Sequence, residues 1–150
     1  NIIVTDINEA ARNNAQELGL IVLDDIESIY DVSCDIFAPC ALGGVLNDET
    51  IPRLKCKLIA GSANNQLLED RHAEVLSDSG ILYAPDYIIN AGGVINISEE
   101  IDKRYDSKAA EIKVGRIYQT VEEVLHIANV KNINTALAAD ELAKMRLFVN

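Results

Sequence analysis

Ile2-Ile3-Val4-Thr5-Asp6-Ile7-Asn8 opens the chain with a short apolar run that ends on a carboxylate and then on a helix-capping residue. The run predicts a buried strand over residues 2–5. Asn8 predicts the start of a helix through Ala10, Ala11, Ala15 and Leu18, and Gly19 its stop. The cadence then repeats. Apolar runs at 21–23, 36–38, 58–60 and 81–83 alternate with short helical patterns at 26–30, 50–54 and 69–79. Strands that alternate with helices pair in parallel, so the predicted fold is α/β. From about Ala91 the pattern is helical. Ile112, Ile117, Val121, Val124, Leu125 and Ala128 mark one apolar stripe, and a turn at 131–134 leads to a last helix with Leu137, Leu142 and Met145 on one face. Residues 1–100 are therefore expected to form the sheet domain. Residues 101–150 are expected to form helices that pack back on it or on a neighbouring domain.

The 150 residues are 49% apolar and 25% charged, an ordinary composition for a globular domain with a real core. A formal net charge of −11 repels phosphate backbones and anionic lipid, which disfavours nucleic acid and membrane partners. A small anionic ligand can still be held by local backbone dipoles. No apolar run reaches the roughly 18 residues of a membrane span. Cys34, Cys40 and Cys56 form no CxxC pair, which points to free thiols in a reducing compartment and a cytoplasmic location. His72 and His126 are not at ligand spacing from them, so no metal site is expected. The Asn96-Ile97-Ser98 sequon is read as chance.

Several segments could carry chemistry. An acid at the end of a strand such as Ile2–Thr5 accepts hydrogen bonds from adenosine ribose hydroxyls in dinucleotide-binding sheets, and its charge would repel the extra phosphate of NADP. Asp6 could equally be a helix cap or a solvated loop acid. Pro39-Cys40-Ala41-Leu42-Gly43-Gly44 follows a strand, where small residues let a flat ligand lie on the backbone, or where a plain glycine loop would serve. No base is evident beside Cys40, so it is not read as a nucleophile. Gly61-Ser62-Ala63-Asn64-Asn65-Gln66 follows the next strand; its amides suit a carboxamide or an amino acid, or simply a turn and cap. In Ala84-Pro85-Asp86-Tyr87-Ile88-Ile89-Asn90-Ala91-Gly92-Gly93-Val94-Ile95-Asn96-Ile97, Val94 and Ile97 share one helix face, either a ligand wall or ordinary core packing. A G-x-G turn is absent. It should lie just upstream of an Asp6-type strand, and the chain starts abruptly at Asn1, so the chain is expected to be cut from a longer one that begins a strand earlier.

These segments, in this order and spacing, resemble the glutamate, leucine, phenylalanine and valine dehydrogenase family, most closely its leucine-acting members. The matching stretches are 4–8, 34–44, 59–67 and 83–96. The likeness covers roughly the whole chain and weakens after Ile101. It implies a Rossmann-like NAD-binding sheet lacking its first strand, followed by C-terminal helices. It also implies reversible oxidative deamination, in which an L-amino acid gives a hydride to NAD and the imine is hydrolysed to a 2-oxo acid and ammonia. By the family pattern Asp6 and Ile7 hold the adenosine ribose, Cys40 and Ala41 line the nucleotide cleft, and Ala63 and Asn65 lie near the nicotinamide ribose. Asn65 also approaches the substrate, and Val94 and Ile97 wall its side-chain pocket.

Burying a distal carboxylate unpaired against Ile97 would cost several kcal/mol. A branched aliphatic group would instead gain about 1.5–3 kcal/mol there. The resemblance thus favours leucine, isoleucine or valine, with phenylalanine still open. The family's catalytic lysines and acid lie in an N-terminal domain that this sequence lacks, so no catalytic residue is assigned and the fragment alone is expected to be inactive. A homo-oligomer is implied for the parent enzyme, with Leu147-Phe148-Val149 compatible with such a contact. The alternatives are a sibling acting on phenylalanine, valine or glutamate, and a nucleotide-binding scaffold that has lost its catalytic half.

Overall fold

The computed structural model describes residues 1–101 and 105–148. β1 (Ile3–Val4) pairs in parallel with β2 (Ile21–Val22), Val4 opposite Val22. α1 (Glu9–Glu17) joins them; the Asn8 side chain accepts the Ala10 N–H at 2.9 Å, and Gly19, at φ +79°, ends it. β3 (Ile36–Phe37), β4 (Leu58–Ile59) and β5 (Leu82–Tyr83) form a second parallel sheet, in that order. Phe37, Ile59 and Tyr83 lie side by side at their ends, so the chain leaves all three strands along one edge. α2 (His72–Asp78) carries the chain from β4 to β5 and buries His72, Ala73 and Leu76.

The expected parallel sheet is thus present as two pieces. One consequence corrects the expectation of a buried first strand. Ile2 is 61% exposed and Ile3 to Thr5 are only half-buried, because β1 has a strand neighbour on one side alone among the described residues. The two pieces are tied through a 3-10 turn at Ile26–Asp31. Arg53 donates to Glu27 at 3.1 Å and to Asp31 at 2.8 Å while lying over the Tyr30 ring, and Tyr30 packs on Phe37.

Leu46, Ile51, Ile59, Leu76, Ile81 and Tyr83 form the core of the second sheet. After it come α3 (Asp86–Ile89), α4 (Gly92–Ile101), α5 (Ser107–Lys131) and α6 (Thr135–Leu147). Asp106 caps α5 by accepting the Lys108 N–H at 2.9 Å. Asn132, in the left-handed region at φ 54°, turns the chain, and Asn134 caps α6. α5 packs against α3, α4 and α6. The Thr135 hydroxyl donates to the Tyr83 carbonyl, which fastens the start of α6 to the end of β5.

The helical stripes differ from the sequence expectation. The inward line of α5 runs through Ala110, Val114, Ile117, Val121, Val124 and Ala128, at steps of four and three, while Ile112 stands in solvent and Leu125 at the margin. On α6 the buried residues are Thr135, Ala138, Ala139 and Leu142, whereas Leu137 and Met145 are exposed. Small side chains let α6 approach Val124 of α5 closely, so the interface follows the alanines rather than the bulkiest residues. Leu147 and Phe148 are exposed; Val149 lies outside the described residues. Among the described residues no helix is long and apolar enough to cross a membrane.

Candidate nucleotide-binding site

Three loops leave the common edge of β3, β4 and β5 and are bonded to one another. The Ala63 N–H donates to the Pro39 carbonyl at 2.9 Å, the Gly44 N–H to Asn65 O at 2.7 Å, and the Leu46 N–H to Gln66 O at 2.9 Å. From the third loop, Asn90 Nδ2 donates to Asn64 Oδ1 at 2.7 Å. Residues 38–44, 61–66 and 84–92 therefore make one continuous rim. Glycine is demanded by this closeness. A Cβ on Gly61 would stand 2.0 Å from the Pro39 carbonyl oxygen, and one on Gly43 would stand 2.7 Å from the Asn64 carbonyl oxygen. Asn65 takes φ 52°, a left-handed conformation that asparagine tolerates better than most residues.

A buried polar network lies beneath the rim. The Asp86 carboxylate accepts the Gln66 N–H at 2.7 Å and the Tyr83 hydroxyl at 3.0 Å. Gln66 Nε2 donates to the carbonyls of Gly61 and Ala63 at 2.8 and 3.0 Å. Burial first, and then the neighbouring Asp86 carboxylate, push the Tyr83 hydroxyl well above its ordinary pKa, despite the Asp86 N–H that it accepts. No local pattern marks this network. Gln66 reads as a loop amide and Asp86 as a first-turn helix acid.

The positions singled out from sequence fall in two places. Cys40, Ala41, Ala63 and Asn65 lie on the rim; Cys40, Ala41 and the Asn65 side chain are exposed, while Ala63 is buried under its own loop. Asp6 and Ile7 stand at the end of β1, in the other sheet, and among the described residues no hydrogen bond joins them to the rim. Asp6 Oδ1 accepts the Asn8 N–H at 2.7 Å, so Asp6 also braces the turn into α1. Ile7 is exposed. Val94 and Ile97 are 73% and 58% exposed on the outer face of α4, so neither packs into a core among the described residues. The inner face of that helix meets α5, with Gly92 against Val114.

The first two rim loops are uncharged in a chain of net charge −11: residues 38–44 and 61–66 contain no acidic or basic side chain, and Asp86 of the third segment is buried. Among the described residues the N–H groups of Ser62, Asn64 and Asn65 have no protein acceptor. Such a rim can receive an anionic or amide-bearing ligand without opposing charge. A cleft of about 320 Å³ lies elsewhere, between α2 and β5 on one side and α5 and the start of α6 on the other, lined by Ala73, Ser77, Leu125, Asn129 and Thr135. His72 is also away from the rim and fully buried. Its Nδ1 accepts the Glu69 N–H at 3.0 Å and its Nε2 faces Asp48 at 3.3 Å, a helix-start brace that the sequence did not reveal.

The model of the Glutamate/Leucine/Phenylalanine/Valine dehydrogenase family matches residues 4–147. A leucine dehydrogenase of Thermoactinomyces intermedius is 54% identical over 147 residues, covering 97% of this chain and 40% of that protein. A phenylalanine dehydrogenase of Caldalkalibacillus thermarum is 43% identical over 154 residues, covering 98% of this chain and 41% of that protein. The crystal structure of L-tryptophan dehydrogenase from Nostoc punctiforme superposes with a TM-score of 0.92 at 43% identity, covering 96% of this chain and 43% of the other. The chain thus spans about 40% of the length of the relatives it matches. With the parallel sheets, the three loops joined along one edge and a family match running nearly end to end, the chain belongs to the Glutamate/Leucine/Phenylalanine/Valine dehydrogenase family.

Proposed function

We propose that the complete gene product containing this chain is an NAD-dependent dehydrogenase of leucine and other branched aliphatic L-amino acids, and that residues 1–100 supply its nucleotide-binding sheet. NAD, when bound, accepts the hydride from the amino acid Cα. The chain's own residues bind and orient. Asp6 Oδ2, which has no protein donor among the described residues, is free to accept from the adenosine ribose, with Ile7 beside it. Cys40 and Ala41 offer a flat exposed surface. Asn65 and the free N–H groups of the second loop offer polar contacts to the nicotinamide side, above the buried Ala63. No residue here is assigned the proton transfers. Those belong to a domain outside this chain, so the isolated chain is expected to bind at most.

The observation that carries the substrate reading is the aliphatic face of α4, where Val94 and Ile97 stand exposed immediately after the third rim loop. Covering that face with a branched alkyl group gains about 1.5–3 kcal/mol, whereas an unpaired carboxylate there loses several. Residues 101–150 are proposed to form a helical segment packing back on the sheet and on a further domain. The exposed Leu147 and Phe148 support a contact between copies in a homo-oligomer. A cytoplasmic setting agrees with the three unpaired cysteines.

An amino acid panel with NAD+, followed by the absorbance of the reduced cofactor, tests this reading. Leucine, isoleucine or valine should exceed glutamate by about tenfold or more in kcat/KM. A preference for glutamate would overturn the use of Ile97. A preference for phenylalanine or tryptophan would move the substrate and leave the reaction. Asp6→Asn keeps an acceptor for the Asn8 N–H but removes the charge. It is expected to weaken NAD+ binding roughly tenfold and to reduce discrimination against NADP+ by a similar factor. Unchanged Kd values for both cofactors would remove Asp6 from the site.

A further inference from the structure

Gln66 is fully buried, although Ser62, Asn64 and Asn65 before it are exposed. Its single side-chain amino group donates to two carbonyls of its own turn, those of Gly61 and Ala63. Its backbone N–H is taken by Asp86, a carboxylate only 5% exposed, and Asp86 is held in turn by the Tyr83 hydroxyl. Gln66 Oε1 is buried with no hydrogen-bond partner. Burying an amide and a carboxylate at this depth is costly, and an apolar residue at position 66 would avoid the amide's share of that cost. What the polar residues add is geometry. Two carbonyls of a six-residue turn point to one nitrogen, while the N–H groups of Ser62, Asn64 and Asn65 are left without a protein acceptor.

We propose that Gln66 is the positioning residue of the nucleotide rim. Its amide draws the Gly61 and Ala63 carbonyls inward, so that the Ser62–Asn65 turn presents its N–H groups to the dinucleotide, and Asp86 with Tyr83 fixes Gln66 in place. This rests on the nucleotide-binding reading above. Gln66 touches no ligand in this scheme and acts through the turn that it shapes.

The test uses the complete gene product containing this chain, with NAD+ Kd from calorimetry, steady-state kinetics and thermal melting. Gln66→Glu replaces the amino group by an oxygen facing two carbonyls. It is expected to raise the Kd and KM for NAD+ about tenfold or more, while kcat at saturating NAD+ stays within about threefold. Tyr83→Phe leaves the Gln66 amide intact and loosens only its anchor, so about a threefold rise in the same direction is expected. A folded Gln66→Glu protein that binds NAD+ like the wild type overturns the proposal, and so does a fall in kcat with KM unchanged. If Gln66→Glu does not fold, Tyr83→Phe decides, and an unchanged NAD+ KM there overturns it. Wild-type protein that binds no NAD+ removes the nucleotide-binding reading and this inference together; wild-type binding with unaffected variants removes this inference alone.

Discussion

Gly61→Ala is expected to destabilise the protein by about 3 kcal/mol and to abolish measurable NAD+ binding at concentrations that saturate the wild type. The added methyl would sit 2.0 Å from the Pro39 carbonyl oxygen and 2.5 Å from the Pro39 nitrogen. Both are backbone atoms, and proline has little freedom to move aside. The only relief is to part the loops after β3 and β4, which breaks the Ala63 to Pro39 hydrogen bond and pulls Gly61 O from the Gln66 amide. The substitution therefore acts on packing and on the rim at once. Gly115→Ala is the control. Its Cβ meets nothing within 4 Å on α5, so helix propensity alone applies, and a gain of up to about 1 kcal/mol is expected. Thermal melts and NAD+ titrations of both variants check the pair. Equal stability of Gly61→Ala and wild type would show that the loops are not this close.

Asp86→Ala is expected to cost a similar amount for an electrostatic reason. It leaves the Gln66 N–H and the Tyr83 hydroxyl buried without an acceptor, each at about 1–3 kcal/mol. Asp86→Asn retains one carbonyl oxygen in the same place, so roughly half the loss is expected. Urea denaturation separates the two, with the midpoint falling in the order wild type, Asn, Ala and the slope unchanged. A shift below about 0.5 kcal/mol for Asp86→Ala would mean that Asp86 acts as a surface acid.

Much of the sheet was legible because its signals are local. The strand of β1, the Asn8 cap, Gly19 and the alternation through Tyr83 depend on residues a few places apart, and they appear within about three residues of expectation. The helical stripes were legible in period but not in phase. Ala110, Ala138 and Ala139 weigh little on any apolar scale, yet helices approach most closely over them, which turned Ile112, Leu137 and Met145 outward. The rim was legible as three loops of small and amide residues. The reason that these particular loops meet is the register of Phe37, Ile59 and Tyr83, a relation between residues more than twenty places apart.

By itself the sequence determined the α/β order, the helix ends and the chemical character of the loops, since these follow from neighbouring side chains and backbone preferences. Tertiary structure alone decided that Gln66, Asp86 and Tyr83 form one buried network, that His72 is a brace, and that Val94 and Ile97 face outward. Hydrogen bonding and burial depend on which distant segment arrives alongside, and no pattern within a single segment encodes that arrival.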